Sequence, residues 1–281
     1  MNSVSSIMTP DPITFKVPST VAQVVSELIR SNITGMPVVD SSNRYVGIIS
    51  RRDVFAHPEE TQASRIVRNE PFIEESTTIE DAAMLMLRER RRHAAIVDKD
   101  RKVIGVITPQ DFLRIVEKDY GDRVVKDLMN TRIFPLWEKT PLPLVYKAMR
   151  MSGTFTFPVA DAHGNFTGLL TDRDLFDRID VSTVKINDVE TLSHDDPWSW
   201  SSVRNVVTYF IEKNHLQIPE EPAEVITIKN PTLAHSNEKM RAVARRMRDG
   251  NFNQIPVTTS LKELQGLLFD LDILSVFRGK L

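Results

Sequence analysis

Four short stretches carry the residue types that could hold a polar ligand. They read Gly47-Ile48-Ile49-Ser50-Arg51-Arg52-Asp53, Gly105-Val106-Ile107-Thr108-Pro109-Gln110-Asp111, Gly168-Leu169-Leu170-Thr171-Asp172-Arg173-Asp174 and Gly266-Leu267-Leu268-Phe269-Asp270-Leu271-Asp272. Each opens with glycine, runs through two branched aliphatics and sets an Asp three residues beyond a hydroxyl, which Phe269 replaces in the fourth copy. A hydroxyl beside a carboxylate at a strand-to-helix turn is a compact polar pair on apolar walls. A small polyhydroxylated ligand needs such a pair. The same spacing also makes a helix cap, so one copy alone decides nothing.

Other chemistry finds little footing. The chain has no cysteine, which removes disulfides, thiolate zinc sites and a Cys nucleophile. Its six histidines are scattered, and neither a Ser-His-Asp set nor a Walker loop is present, so the expectation is no enzyme and no metal. His194-Asp195-Asp196 lacks a second histidine at ligand spacing and reads as a polar turn before a helix. A net charge of -2 and a pI near 6.3 argue against nucleic acid as partner. The run Arg88-Glu89-Arg90-Arg91-Arg92-His93 then reads either as a solvated helix end or as a set of phosphate contacts. No leader pattern and no membrane-length apolar run are found, which predicts a cytoplasmic protein.

The elements that must position the four Asp residues repeat with them. In the first unit, Val21, Val24, Val25, Leu28 and Ile29 fall on one helix face, with Thr20 and Gln23 as a capping box. The second has Ile79, Ala82, Ala83, Met86 and Leu87, capped by Thr77 and Glu80. The third has Leu142, Val145, Tyr146 and Met149, and the fourth Met240, Val243, Ala244 and Met247. Each helix follows a short strand (Ile13-Thr14-Phe15 in the first unit) and precedes two more, then the polar pair. The order is strand, helix, strand, strand, helix. The predicted boundaries are 1–60, 61–121, 122–181 and 224–281. Residues 182–223 form an insertion, with Val203, Val206, Val207, Phe210 and Ile211 on one side of a predicted helix and Trp198 and Trp200 beside it. Units this small cannot bury enough surface alone and must pack on each other.

All four units resemble the cystathionine β-synthase (CBS) domain, on the strength of the glycine-aliphatic-hydroxyl-Asp runs and the Pro-Val strands Met36-Pro37-Val38-Val39 and Ile255-Pro256-Val257. The resemblance implies an α/β (α+β) fold of two pseudo-two-fold Bateman modules in a disc-like arrangement, with a helical insertion before the fourth unit. A chain of four such units is similar to stand-alone prokaryotic CBS proteins and to the gamma subunit of AMP-activated protein kinase. That similarity implies a non-catalytic sensor binding AMP, ADP, ATP or S-adenosylmethionine, and acting allosterically on a regulated protein that the sequence does not name. A homodimer is consistent with an open edge.

The resemblance also implies which residues share a cleft. Asp111 would be grouped with Thr108 and with Thr9, Thr14, Ile33, Thr34 and Gly35 of unit one. Asp53 would be grouped with Ser50, Arg51 and Arg52, and with Arg68, Ile73, Arg91, Arg92 and His93 of unit two. Asp174 keeps Thr171 and Arg173, but Asp172 beside it and the uncharged Phe252, Asn253 and Gln254 opposite predict a weaker site. For Asp272, Phe269 in place of the hydroxyl, with Phe155 and Pro135 where a base would lie, predicts a structural role only. The competing reading is a scaffold binding RNA or a ribonucleoprotein through residues 88–93 and the insertion, with its clefts empty.

Overall fold

The computed structural model describes residues 3–178, 180–186, 211–261 and 263–280. Unit one contains β1 (Thr9–Pro10), β2 (Phe15–Lys16), α1 (Val21–Arg30), β3 (Gly35–Val39), β4 (Tyr45–Ser50) and α2 (Arg51–Ala56). Unit two contains β5 (Ile73–Glu74), α3 (Ile79–Arg88), β6 (Ala94–Val97), β7 (Val103–Ile107) and α4 (Leu113–Asp119). Unit three contains β8 (Leu136–Trp137), α5 (Leu142–Ser152), β9 (Thr156–Ala160), β10 (Phe166–Thr171) and α6 (Asp172–Phe176). An antiparallel pair, β11 (Asp180–Ile186) with β12 (Ile211–Gln217), follows. Unit four contains β13 (Ile228–Lys229), β14 (Ala234–His235), α7 (Met240–Asp249), β15 (Gln254–Thr258), β16 (Leu264–Phe269) and α8 (Asp270–Ile273).

Local rules account for the helices, with small corrections. The Thr20–Gln23 capping box starts α1, whereas α3 is capped by Thr78, which accepts from the Asp81 amide, and not by Thr77. The buried faces follow the predicted stripes except at two positions. Ile29 is 49% exposed, because it lies about 80° round the helix from Val21, at the stripe's edge. Tyr146 is half-buried and donates its hydroxyl to the Phe55 carbonyl at 2.9 Å. The strand predicted at residues 13–15 forms only from Phe15, where pairing with Val38 begins. The predicted insertion helix through Val203, Val206, Val207 and Phe210 lies outside the described residues, as do Trp198 and Trp200. Ile211, assigned to that helix, instead opens β12.

Within a unit, a parallel strand pair and an antiparallel hairpin form the sheet, as in Phe15↔Val38 and Gly35↔Ser50. The lead-in to each unit does not stay with that unit. β1 pairs with β7 through Thr9↔Val106, while Arg68, leading into unit two, bridges back to Ile48. The second pair repeats the exchange, with Gly168↔Lys229 one way and Asn130↔Leu267 the other.

This exchange explains the glycine that opens each motif. A Cβ on Gly47 would stand 2.4 Å from the Arg68 carbonyl oxygen, on Gly168 2.4 Å from that of Ile228, and on Gly266 2.6 Å from that of Asn130. On Gly105 it would stand 2.3 Å from the Met8 sulfur. The neighbouring unit's lead-in crosses there, and no side chain fits beneath it.

Two cores join the pairs crosswise. One merges units one and three, burying Val24, Phe55, Val145 and Phe176. The other merges units two and four, burying Met86, Phe112, Met247 and Phe277. Phe55 meets Phe176 at 5.5 Å between ring centroids and Phe112 meets Phe277 at 5.8 Å. Burying one such side chain contributes about 1.5–3 kcal/mol, so the crosswise contact, not the single unit, is the stable arrangement. Tyr45, Ile48, Ala95 and Val97 form a smaller seam between units one and two. Among the described residues no helix is long and apolar enough to cross a membrane.

Candidate functional site

Three of the four strand-to-helix turns deliver their polar pair as a closed hydrogen-bonded ring. The Ser50 amide and hydroxyl donate to Asp53 Oδ2 at 2.7 and 2.5 Å. Thr108 does the same to Asp111 Oδ2 at 2.6 and 3.0 Å, and Thr171 to Asp174 Oδ2 at 2.8 and 2.7 Å. Capping therefore uses one carboxylate oxygen and leaves the other for a further donor. In Asp53 that second oxygen already accepts from Arg68 Nε at 2.6 Å. In Asp111 and Asp174 no protein donor among the described residues takes it. In unit four Phe269 forms no ring, and Asp272 Oδ1 accepts from Arg90 at 3.3 Å.

Every Asp faces a cavity walled by more than its own unit. The Asp111 cavity, about 460 Å³, brings together Thr9, Ile33, Thr34, Gly35 and Thr108, as well as Asn32 and Arg173. Thr14 does not reach it; that residue is exposed in the segment just before β2, and Ile13 lines the wall instead. The Asp53 cavity, about 330 Å³, is lined by Ser50, Arg51, Arg52, Arg68, Arg92 and His93. Ile73 is absent because β5 turns it into the core opposite Ile96. Arg91 is absent because it is buried against the Pro71 carbonyl, 2.9 Å away.

The Asp174 cavity, about 460 Å³, holds Thr171 and Arg173 as predicted, opposite Phe252, Asn253 and Gln254. It also holds Arg51, contributed by unit one. The Asp272 cavity, about 260 Å³, is lined by Arg52, Arg90, Arg92 and Arg132, with Phe155 and without Pro135. Sequence reasoning missed these cross-pair cations, since nothing local to residues 51, 52 or 132 points at unit three or four.

Counting charges ranks the clefts. The Asp272 lining has four arginines against one carboxylate, and the Asp53 lining five against Asp53, Glu70 and Asp172. The Asp111 and Asp174 linings each balance two arginines with two carboxylates. Two arginines are fixed across the pairs: Arg92 donates to both Asp270 oxygens at 2.9 Å, and Arg52 lies 3.5 Å from Asp172 and 4.3 Å over the Phe155 ring. Arg51 is 5% exposed, and its Nε is buried with no hydrogen-bond partner among the described residues. A buried donor without a partner is costly, and a ligand acceptor would relieve it.

Burial sets the titration of the site. It raises Asp53, against the pull of Arg68, and raises Asp111, Asp174 and Asp272. It also pushes His93 down to about 3, helped by Arg92, Arg52, Arg51 and Arg68 nearby. His93 is therefore neutral, and its Nε2 shares a 2.7 Å hydrogen bond with the Thr34 hydroxyl, on the wall common to the Asp53 and Asp111 cavities. The arginine run at residues 88–93 is thus not one surface patch. Arg90, Arg91, Arg92 and His93 each turn to a different partner.

Repeated units that close one another's clefts with exchanged lead-ins define a tandem repeat protein. The CBS domain profile matches residues 4–60, 63–118, 125–181 and 223–279, and the chain belongs to that family. It is 33% identical over 110 residues to inosine-5'-monophosphate dehydrogenase of Methanocaldococcus jannaschii, a stretch covering 38% of this chain and only 22% of that enzyme's length. It is 22% identical over 191 residues to the MJ1225 protein of the same organism, covering 61% of this chain and 68% of that one. The fold is similar to the crystal structure of MJ1225, described as a candidate archaeal homolog of γ-AMPK, with TM-score 0.77 at 19% identity over 98% and 100% of the two chains. It is also similar to a conserved protein from Pyrococcus horikoshii, with TM-score 0.65 at 25% identity and the same coverage.

Proposed function

We propose that the chain is a non-catalytic sensor of adenosyl ligands, AMP, ADP, ATP or S-adenosylmethionine, that acts allosterically on a protein partner. One observation carries the reading: in the Asp111 and Asp174 clefts a capped carboxylate keeps an oxygen free toward a cavity closed by another unit. Two ribose hydroxyls donating to that carboxylate would make charge-assisted hydrogen bonds. The charge counts divide the work. The Asp53 cleft, with its arginine excess, suits a phosphorylated ligand, and the balanced Asp111 and Asp174 clefts suit ligands of low net charge.

The Thr34–His93 contact supports coupling between sites. Both residues line the Asp53 and Asp111 cavities, so a ligand that moves either side chain alters the neighbouring cleft. A coupling of about 1–3 kcal/mol gives a 5–150-fold effect on affinity. The scaffold reading loses its main residues, since Arg91 and Arg92 are engaged inside the molecule.

A thermal-shift screen over AMP, ADP, ATP, S-adenosylmethionine and methylthioadenosine tests the proposal, because a ligand that binds only the native state raises its melting temperature. Calorimetry on Asp111→Ala and Asp174→Ala then locates the sites. No shift with any adenosyl compound, or full affinity in both variants, would overturn it.

A further inference from the structure

A further cavity opens on the back of the lead-in to unit two. It measures about 610 Å³, larger than any of the four Asp cavities, and shares no lining residue with them. The lead-in separates the two sides: Arg68 faces Asp53, while its neighbours Val67 and Asn69 line the cavity behind. Val17, Val46 and Val67 make an apolar wall. Tyr45 adds only its ring, since its hydroxyl is spent on the Glu70 carbonyl at 3.0 Å. Two exposed arginines, Arg44 and Arg101, stand over this wall from the adjoining hairpin turns of units one and two.

The charges around it do not cancel. Asp40 Oδ1 accepts from the Ser42 and Arg44 amides at 2.8 and 2.9 Å, and its Oδ2 lies 3.4 Å from Arg44 Nε, so this carboxylate serves its own turn. Arg101 forms no ion pair among the described residues and lies 5.2 Å over the Phe72 ring. One positive charge is left over. Arg101 also holds φ at 62°, a conformation that suits Asn better than Arg, and Asn43 takes that place in the unit-one turn at 59°. The matching position across the two units therefore has Asn43 with Lys102, and Met8 over Gly105 where Val67 lies over Gly47. Only one side carries the arginine pair above a short-chain wall.

We infer that this cavity binds a small monocarboxylate with an apolar body, its carboxylate held between Arg44 and Arg101 and its body on Val17, Val46 and Val67. Arginine's planar fork matches a carboxylate, and a concave apolar wall with a few convergent polar groups suits a small ligand. A triphosphate exceeds the single uncompensated charge, and no carboxylate here is free to accept sugar hydroxyls. The site does not depend on the adenosyl reading.

Calorimetry of the full chain with 3-phenylpropanoate, its neutral amide and acetate provides the test, on wild type, Arg101→Asn and Ser64→Trp. Arg101→Asn removes the charge and keeps the turn, as Asn43 does in unit one. Ser64 is exposed and lines the cavity, so Ser64→Trp fills it from the solvent side without entering a core. The acid is expected to bind wild type at least tenfold more tightly than either the amide, which lacks the charge, or acetate, which lacks the body. Each variant should weaken the acid at least tenfold while keeping the wild-type melting temperature within a few degrees. No binding of the acid to wild type, equal affinity for acid and amide, or full affinity in either variant would overturn the site. Displacement of the acid by ATP would also overturn it, by placing the acid among the arginines of the Asp clefts.

Discussion

Arg92 and Asp270, 178 residues apart, meet through two hydrogen bonds of 2.9 Å, with Asp270 fully buried and Gln110 Nε2 adding a third contact at 3.3 Å. The pair ties unit two to unit four, and Arg92 lines both the Asp53 and the Asp272 cavities.

Asp270→Asn leaves the Arg92 charge without its buried partner. A loss of about 3 kcal/mol is expected, since breaking a buried pair from one side strands the other charge. Urea unfolding measures it. A double change of Arg92→Met and Asp270→Leu should cost less than the single one.

His93 makes stability depend on pH. Its native pKa of about 3 lies below the free value of 6.5, so the native ring stays neutral while the unfolded chain takes up a proton. Its contribution is complete above pH 6.5 and is lost as pH falls from there toward 3. The raised Asp53, Asp111, Asp174 and Asp272 act in the opposite sense, because the native chain protonates them before the unfolded chain does. The difference between wild type and His93→Gln isolates the histidine. Wild type should lose more stability than the variant between pH 7.5 and 4.5, and equal losses would show that His93 is not held neutral.

Gly168→Ala tests the crossing of the lead-ins. With the Ile228 carbonyl 2.4 Å from the new Cβ, backbone must shift, and a cost of about 1–3 kcal/mol is expected. Gly164→Ala, where nothing among the described residues lies within 4 Å, is the control for the strain of a positive φ alone, here 81°. A smaller loss at position 168 than at 164 would contradict the exchange.

Asp111→Ala removes both a cap and a ligand acceptor. The cap costs about 1 kcal/mol of stability. An adenosyl ligand of low charge should lose roughly 10-fold to 150-fold in affinity, the worth of one charge-assisted hydrogen bond. Asp53→Ala should affect phosphorylated ligands more than neutral ones, and calorimetry with adenosine and ATP separates the two.

Four units, their helix stripes and their hydroxyl-Asp rings could be read from the residues, because caps and amphipathic periodicity are set by neighbours within a few positions. Thr108 and Asp111 find each other whatever the rest of the chain does. Strand edges such as residues 13–15 shifted because two-residue strands are defined by the partner they pair with. The reach of Arg51 to the Asp174 cleft, the stacking of Arg52 on Phe155 and the Arg92–Asp270 pair were decided only in three dimensions. They depend on unit one packing on unit three and unit two on unit four, a choice made by the fit of whole apolar faces. No spacing along the chain encodes which face meets which.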